Sequence, residues 1–404
     1  FSMEFLGCLF WCLFTASAKE VLIFEDNFDK LDFSLWKHDI TMSGGGNWEF
    51  QLYTNNRTNS YTENGILYLQ PSLTSDTIGE DEVSGNVPYT MDIWGLGDAD
   101  QCTSNAYWGC LRVSDAANRH PLNPVTSAKI STTGSFSYTY GRFEVEAKLP
   151  RGDWLWPAIW LLPQHNAYGG WPASGEIDLL ESRGNSASYS GGGCNIMSSC
   201  LHWGTYVSSD RWYKTYKTSE RQSGETTYAE EFHTFGFIWD ESGLTTYVDS
   251  PDNVILSEKF DAKTYDRGEF VSDGTSIKNP WSGSSSDSAP FDQSFFIILN
   301  VAVGGVGGYF EDNSDKPWSN TDNDALAKFL ETKNDWYPTW NGKDSALQIN
   351  SIRVWQDEKS LDFTCNNKKA CPLITNSDLY QSGSTTDAVA NKKIKYLTIL
   401  SILL

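Results

Sequence analysis

Three carboxylates stand close together in the stretch GEIDLLES at residues 175–182. Glu176, Asp178 and Glu181 lie at offsets of 0, +2 and +5. Like charges held near one another raise the pKa of at least one of them, so such a group can divide into a proton donor and an anion. The reaction that asks for this division is glycoside hydrolysis, in which one carboxylate attacks the anomeric carbon and the other group protonates the leaving oxygen.

Neither regular backbone period places the three acids together. On a helix, a rotation of about 100° per residue turns Asp178 and Glu181 well away from Glu176. On a regular strand, Glu176 and Asp178 share a face while Glu181 points to the other. A β-bulge between Asp178 and Glu181 restores the common face, because two residues then oppose one on the neighbouring strand. We therefore predict a bulged strand with all three acids on one face.

Two simpler interpretations compete with catalysis. Acids on a strand often form a solvated face, and three carboxylates can bind Ca²⁺, which prefers oxygen ligands. The preceding residues, WLWPAIWLLP at 154–163 and WPASG at 171–175, are hard to reconcile with an idle solvated face. The context therefore favours a catalytic cluster.

The surrounding chain alternates short β-like runs with clusters of Gly, Asn, Asp and Ser, and it shows no internal repeat. We predict a strand, a hairpin, a closing strand and one short helix at Arg142–Lys148, Phe235–Trp239 with Leu244–Val248, Leu347–Trp355 and Asp324–Thr332, respectively. Many short strands with turn signals between them predict an all-β sandwich, which we place in one domain over residues 19–360.

The amino-acid composition limits the classes of ligand that the protein can bind. The chain has 404 residues, a net charge of -22 and an aromatic content of 14%, with 17 Trp. Nucleic-acid binding needs clustered Lys and Arg, and an anionic membrane surface needs them too, so both partners are disfavoured. Aromatic platforms suit sugars, and a neutral polysaccharide is compatible with the charge.

The two ends predict a secreted protein. Residues 1–18 resemble a signal peptide, with Met3, the apolar stretch Phe5–Phe14 and the small residues Ala16 to Ala18, although the usual positive charge is missing. Residues 361–404 form a C-terminal extension with a short apolar tail. Its order of small residues, polar spacer and apolar end resembles a GPI-attachment signal, and the alternative is an irregular terminus.

Six cysteines follow the predicted signal peptide, and they form three close couples in sequence: Cys102 with Cys110, Cys194 with Cys200, and Cys365 with Cys371. In a secreted chain this spacing predicts three short-loop disulfides. A zinc site is the alternative, but neither a CxxC pair nor a His spacing supports it. The triplet at residues 56–58, Asn-Arg-Thr, is an acceptor sequence for N-glycosylation.

The run WPAIWLLPQHNAYGGWPASGEIDLLESRGN at residues 156–185 resembles glycoside hydrolase family 16 of the laminarinase type, whose active-site motif is ExDxxE. Further similar blocks, among them YGRFEVEAKLP and LHWG, extend the resemblance over roughly residues 23–357. The blocks are similar to the animal branch of the family. That branch contains both β-1,3-glucanases and catalytically dead β-1,3-glucan-binding immune proteins.

The resemblance implies a jelly-roll β-sandwich whose concave sheet forms a substrate cleft. It implies that Glu176 is the nucleophile, Glu181 the general acid/base, and Asp178 the residue between them. The implied activity is that of a retaining endo-β-1,3-glucanase acting on laminarin-type β-glucans. The alternative is a secreted glucan-recognition protein with little turnover, in whose relatives the catalytic Glu positions are commonly replaced. Galactan-degrading members of the family share ExDxxE, but the charge of -22 does not suggest a basic cleft.

The same resemblance assigns five substrate-binding residues, each with a structural alternative. Asn59 matches a sugar-binding Asn or is a turn residue, and Lys129 stands where many relatives have Arg or is a solvated strand residue. Trp160 and Trp171 wall the cleavage point or fill the core. His202 lies near Glu181 or is a structural histidine.

Trp154 and Trp156 fit core packing as well as sugar binding. We expect no required cofactor and no catalytic metal; a structural Ca²⁺ is left open. The partner is expected to be a β-1,3-glucan, and the protein is expected to be a monomer.

Overall fold

The computed structural model describes residues 19–94, 101–272, 275–367 and 369–372. The predicted signal peptide and the polar and apolar parts of the predicted C-terminal extension lie outside the described residues. Within the described ranges, no helix is long and apolar enough to cross a membrane.

The described strands are β1 Glu20–Asp26, β2 Lys37–His38, β3 Gln51–Tyr53, β4 Ser60–Glu63, β5 Ile66–Leu69, β6 Ser72–Leu73, β7 Thr90–Asp92, β8 Leu111–Val113, β9 Val125–Ser127, β10 Lys129–Ser131, β11 Phe136–Tyr138, β12 Gly141–Lys148, β13 Leu155–Pro163, β14 Glu176–Ser182, β15 Ile196–His202, β16 Tyr216–Glu220, β17 His233–Asp240, β18 Gly243–Val248, β19 Val254–Lys259, β20 Val271–Ser272, β21 Thr275–Ser276, β22 Phe295–Val303, β23 Leu347–Asp357 and β24 Phe363–Cys365.

The described helices are short. The α-helices are α1 Ser75–Ile78, α2 Glu80–Ser84, α3 Thr264–Gly268, α4 Ala325–Glu331 and α5 Lys333–Trp336. Single 3₁₀ turns occur at Ala106–Trp108, Ala116–Asn118, Val207–Ser209, Trp212–Lys214, Tyr337–Thr339 and Gly342–Ser345.

Two large antiparallel sheets form the sandwich. The first has the strand order β19-β18-β17-β12-β23-β5-β4, with β1 also paired to β23. The second has the order β16-β15-β14-β13-β22-β10-β2, with β11 paired to β22 and β24 paired to β11. The predicted all-β sandwich is therefore confirmed. The second sheet contains the three acids, on its strand β14.

The sandwich core lies between the two sheets. Strand β12 shows how the sequence builds it: Phe143 and Val145 are fully buried, while the residues between and after them are only partly buried. This alternation has the period of two that a strand with one core face requires. Strand β14 contributes Ile177 and its two leucines to the same hydrophobic cluster, so one core joins both sheets.

The other predicted elements are also confirmed. The hairpin forms from β17 and β18, and the closing strand β23 runs through eleven residues in the middle of the first sheet. The predicted helix is α4, which buries Phe329 against Phe50 at a ring-centroid distance of 5.0 Å. These elements were predictable because each carries its own local pattern of apolar residues.

The prediction of three disulfides is wrong for one couple. Cys102–Cys110 and Cys365–Cys371 are bonded, whereas Cys194 and Cys200 are free and buried. Cys200 lies within the extended strand β15, and four strand residues alone separate its Cα from that of Ile196 by about 13 Å. A disulfide needs two Cα atoms within about 7 Å, and the extended strand carries Cys200 away from the turn that contains Cys194.

The sandwich continues beyond residue 360. Strand β24 pairs with β11, and the loop closed by Cys365–Cys371 lies against the start of the fold, where the amide of Glu25 donates to the carbonyl of Ala370. The first residues of the predicted C-terminal extension thus add a strand to the second sheet.

Candidate active site

The register of β14 shows the bulge directly. On the neighbouring strand β15, Asp178 pairs with Cys200 and Glu181 pairs with Ser198. Two residues of β14 therefore oppose one residue of β15, and the two leucines between the acids are both fully buried. The bulge predicted from the +5 offset is confirmed. It lets two consecutive residues enter the core while the next acid returns to the face of the first two.

The shared face is evident from the contacts of the acids. His202 Nε2 lies 3.3 Å from Asp178 Oδ2 and 3.9 Å from Glu176 Oε1. The charge of Asp178 raises the pKa of both Glu176 and Glu181, so Asp178 lies close enough to interact with each glutamate. The acid cluster, defined here as these three acids, is therefore one interacting group.

The environment raises the pKa of both glutamates. For Glu176, burial is the largest cause and the charge of Asp178 the next, and the pKa rises to about 8. The same two causes, in the same order, raise the pKa of Glu181 to about 7. Because the two groups interact, their protons belong to the pair rather than to either residue. Near neutral pH the acid cluster retains a proton that exposed glutamates would have lost.

Each glutamate accepts a hydrogen bond from one indole. Trp171 Nε1 donates to Glu176 Oε2 at 3.0 Å, and Trp156 Nε1 donates to Glu181 Oε1 at 2.9 Å. Trp156 in turn stacks on Tyr309, with ring centroids 3.8 Å apart and planes 1° from parallel. The two indoles fix the orientation of the carboxyl groups. From the sequence, Trp156 fitted core packing as well as sugar binding. Its hydrogen bond to Glu181 was not predicted.

His202 is held by acids at both ring nitrogens. Its Nδ1 lies 2.5 Å from Asp210 Oδ2, and its Nε2 faces Asp178. Burial alone lowers the pKa of His202, but hydrogen bonds with Asp178 and Asp210 outweigh burial and raise the pKa well above its usual value. The imidazole is therefore the cation of the site. Asp210 had no signal in the sequence, since it lies in a loop with no pattern linking it to His202.

Trp160 and Lys129 extend the site across three more strands. Trp160 Nε1 donates to Asn300 Oδ1 at 2.6 Å, and Asn300 Nδ2 donates to the hydroxyl of Tyr53 at 3.1 Å. Lys129 Nζ lies 4.9 Å from the centroid of the Trp160 ring and forms an ion pair with Asp39 at 3.1 Å. Of the five predicted binding residues, the structure thus brings Lys129, Trp160, Trp171 and His202 around the acid cluster.

Asn59 is buried, and its side-chain amide is bonded within the fold. The residue is 1% exposed, and its Nδ2 lies within hydrogen-bond distance of the Gln70 carbonyl, the Ser72 hydroxyl and the Thr126 carbonyl. Its donors are used to join neighbouring strands, so none is left for a sugar hydroxyl. Asn59 lies in the turn just before β4, as the structural alternative has it, and its sugar-binding role stays a prediction.

One group of side chains in the described ranges has the spacing of a metal site. Asp178, Cys200 and His202 each offer a ligand atom, and these atoms lie within 4.8 Å of one another. A thiol and an imidazole suit zinc better than calcium, which prefers oxygen. Burial raises the pKa of the Cys200 thiol to about 12, which keeps it protonated and a poor ligand at neutral pH. The expectation that no cofactor and no catalytic metal is required stays a prediction.

Comparison with known proteins places this geometry in a family. The profile of Glycosyl hydrolases family 16 matches residues 102–277. The chain is 45% identical to a beta-1,3-glucan-binding protein of Penaeus monodon over 347 residues, covering 84% of this chain and 91% of that protein. It is 30% identical to a glucan endo-1,3-beta-glucosidase of Cryptopygus antarcticus, covering 82% of this chain and 97% of that protein.

A solved structure shares the fold. The endo-beta-1,3-glucanase of Pyrococcus furiosus superposes with a TM-score of 0.53 at 20% identity, covering 87% of this chain and 97% of that one. At this identity the likeness concerns the arrangement of strands alone. The identity of the animal relatives, the coverage of their full lengths and the match to the family profile carry the assignment further. This chain belongs to glycosyl hydrolases family 16.

Proposed function

We propose that the protein is a retaining endo-β-1,3-glucanase that hydrolyses laminarin-type β-glucans. The observation that carries the proposal is the bulge in β14, which gathers three acids on one face in a chain that belongs to a hydrolase family. An ion-pair network would have supplied arginines or lysines to such a group. Here the glutamates instead receive one indole N–H each, and the charge of His202 acts on both, while that of Arg183 acts on Glu181 without forming an ion pair.

In the first step, the Glu176 carboxylate attacks the anomeric carbon and the C–O bond to the leaving sugar breaks. Glu181 donates its proton to the departing oxygen, so the leaving sugar departs as an alcohol and a glycosyl ester forms on Glu176. The Trp171 N–H holds one oxygen of Glu176 and leaves the other free to attack. Burial supports the presence of a proton donor, because it raises the pKa of Glu181 to about 7 and that of Glu176 to about 8, so the pair shares a proton near neutral pH. The division into nucleophile and donor follows the family motif ExDxxE.

In the second step, Glu181 is ionised and acts as a base. It removes a proton from water, the water oxygen attacks the anomeric carbon, and the ester bond to Glu176 breaks. Two displacements at one carbon retain the β configuration. Asp178 and His202 position the pair, since the imidazolium lies 3.9 Å from Glu176 Oε1 and stabilises its anion.

Neutral polysaccharide fits the residues around the acid cluster. Trp171 is 40% exposed, and Trp160 is partly buried beside Lys129, so indole surface faces the site from two sides. Such rings pack against the C–H face of a pyranose without needing a charged ligand. The relatives named for β-1,3-glucan make this polymer the substrate we propose.

The proposal is tested by reducing-end release from laminarin. Wild type is expected to release short β-1,3-linked products, and Glu176→Gln is expected to lose turnover while still binding the polymer. Glu241→Gln, on the exposed turn between β17 and β18, is the matched control and is expected to retain full activity. The ¹H NMR spectrum of the first product should show the β anomer. Binding without any reducing-end release by wild type would refute the enzymatic proposal.

The second candidate function is glucan recognition with little turnover. The observation in its favour is the 45% identity to a protein named for β-1,3-glucan binding. Against it stand Glu176 and Glu181, both present and both hydrogen-bonded in a defined orientation. The laminarin assay separates the two, since a recognition protein binds equally well with or without the Glu176 carboxylate and yields no product in either form.

We also propose that the protein acts outside the cell as a monomer. The two disulfides support an oxidising compartment, because such bonds persist in secreted proteins. Sedimentation velocity of the purified protein and detection of the chain in the medium of expressing cells are the corresponding measurements.

A further inference from the structure

Two exposed aromatic rings, those of Trp48 and Tyr107, contact each other across two loops, and a third exposed aromatic residue, Trp108, follows directly in the chain. We call Trp48, Tyr107 and Trp108 the aromatic platform. They are 45%, 46% and 72% exposed, and the rings of Trp48 and Tyr107 contact each other with centroids 4.7 Å apart. Large aromatic side chains exposed side by side are unusual on a soluble surface and mark binding sites more often than chance. Their conformation and their position both bear on what they bind.

The backbone at all three platform residues has a conformation that bulky side chains rarely adopt. Trp48, Tyr107 and Trp108 have φ values of 52°, 52° and 59°, in the left-handed region that bulky side chains rarely adopt. Such conformations persist only where the surrounding structure imposes them. The disulfide Cys102–Cys110 closes the loop that carries two of the rings. The loop is therefore a constrained presentation of aromatic surface.

Hydrogen bonds fasten the disulfide loop to the sandwich. The amide of Met42 donates to the carbonyl of Gly109 at 2.7 Å, and the hydroxyl of Thr41 donates to the carbonyl of Ser104 at 2.7 Å. Arg112 Nη2 donates to the carbonyl of Tyr107 at 3.2 Å. The rings of the platform consequently have a fixed position relative to the second sheet.

The platform is continuous with the candidate active site. Next to Trp48, the carbonyl of Asn47 accepts from the amides of Val306 and Gly307, in the glycine-rich loop that follows β22. On its other side, burial raises the pKa of Glu49, and the nearby Lys129 ammonium offsets part of that rise. Strand β22 also carries the asparagine that holds Trp160. The loop that carries Trp48 thus lies beside β22 and β10, the strands that carry Asn300 and Lys129 of the candidate active site.

We propose that the aromatic platform is a remote binding site for a β-1,3-glucan chain that extends from the acid cluster across β13, β22 and β10. This inference rests on the proposed function for the identity of the polymer. Three adjacent rings suit successive pyranose faces, and they offer no charge to an ionic ligand. A chain long enough to reach them gains contacts that a short oligosaccharide, filling only the positions beside the acids, does not make.

The consequence is a preference for polymer. Alanine at both Trp48 and Tyr107 is expected to weaken binding of long-chain laminarin about tenfold, the effect of losing about 1.4 kcal/mol of ring contacts. Hydrolysis of a β-1,3-linked tetrasaccharide should change by less than about twofold, because that substrate is held beside the acids.

The experiment compares four forms of the full chain: wild type, Trp48→Ala/Tyr107→Ala, Trp48→Phe and Ile238→Ala. Laminarin affinity is measured by electrophoresis in gels containing the polymer, tetrasaccharide hydrolysis by reducing ends, and folding by thermal denaturation. Trp48→Phe keeps a ring and is expected to retain most of the affinity. Ile238→Ala removes an exposed apolar side chain from β17 in the opposite sheet and is expected to change nothing.

Three outcomes overturn the inference. These are unchanged laminarin affinity in the double variant, an equal loss for polymer and tetrasaccharide, and a wild-type dimer that the double variant converts to monomer, which would assign the rings to self-association. Failure of the proposed function looks different. Wild type would then release no product from either substrate, yet a selective loss of laminarin binding in the folded double variant would still support the platform.

Discussion

Strands β12 and β14 both place acidic residues between buried apolar ones, but their acids have opposite surroundings. On β12, Glu144 pairs with Arg142 at 2.6 Å and accepts from the hydroxyl of Tyr247 at 2.7 Å, while Glu146 accepts from Asn350. Alternation on β12 is unbroken through these residues. Glu144 is therefore neutralised by a cation, and Glu146 is held by a neutral amide, on the outer face of a regular strand.

On β14, alternation is interrupted and the acids are concentrated. Among the described residues, the acid cluster forms no ion pair with Lys or Arg; His202 is its ion-pair partner, and the charge of Arg183 acts on Glu181 from farther away. The difference between the strands shows which features of an acidic strand indicate chemistry. Spacing that breaks the strand period, together with several acids gathered on one face, separates a reactive group from a solvated one.

The largest difference between β14 and β12 is expected when one glutamate on each strand is replaced by glutamine. Glu181→Gln is expected to lower kcat on laminarin by about 10³-fold, because general acid catalysis contributes about 10² to 10⁴. The kcat of Glu144→Gln is expected to stay within about twofold of wild type, because Glu144 and its partner Arg142 both lie in the first sheet, whereas the acid cluster lies in the second. An aryl glycoside with a good leaving group should recover the first step in Glu181→Gln. Equal kcat losses in both variants would show that the two strands do not differ in function.

The pH profile tests the role of Asp178. Its charge raises the pKa of Glu176 and Glu181, and it ranks above the opposing effect of His202 in both cases. Removing that charge therefore lowers both pKa values. In Asp178→Asn, the alkaline limb of kcat/KM, where the acid loses its proton, is expected to move to lower pH. Glu146→Gln on β12 should leave the limb in place, and an alkaline shift in Asp178→Asn would contradict the assignment.

Replacing a glutamate by glutamine should change the free energy of unfolding in opposite directions on β14 and β12. Folding raises the pKa of Glu176 from 4.5 to about 8, so the folded state resists its ionisation and stability falls as pH rises through that window. Glu176→Gln removes this cost and is expected to stabilise the protein by about 1–3 kcal/mol at pH 8, with no gain below pH 4.5. Glu144→Gln loses a partly buried pair and is expected to destabilise by about 1 kcal/mol. Chemical denaturation at several pH values measures both, and two changes of the same sign would refute the contrast.

The smallest expected effect concerns Lys129. Its ammonium is already paired with Asp39 and lies against the Trp160 ring, so little of its charge is left for a sugar hydroxyl. Lys129→Ala is expected to raise KM for laminarin about two- to fivefold with kcat unchanged. A fall in kcat of more than about tenfold would move Lys129 into the group of residues that act in the transition state.

Local patterns explain which features could be predicted. The period of β12 and the +5 offset in β14 are written into consecutive residues, so the strand, the bulge and the common face of the acids were all accessible from sequence. The tryptophans that donate hydrogen bonds to the two glutamates were only partly predictable from the sequence. Trp171 lies five residues before its glutamate, whereas Trp156 reaches Glu181 across a strand pair.

Features that depend on distant pairing were not accessible. Asp210 meets His202 only because a loop returns over the end of β15, and the buried bonds of Asn59 connect it to residues up to 67 positions away. The Cys194–Cys200 error has the same origin. Proximity in sequence was taken for proximity in space, but the strand between them is extended.

The unbonded cysteines carry a consequence for how the chain reaches its native state. Sulfur atoms six residues apart meet readily in an unfolded chain, so an oxidising compartment favours a bond that the native register of β15 forbids. Once β15 has paired with β14, Cys200 is 2% exposed, lies opposite Asp178 and is not bonded to Cys194. Oxidation and strand pairing therefore compete for the same sulfur atom. The pairing that completes the acid cluster is also the event that protects this thiol from a misfolding bond.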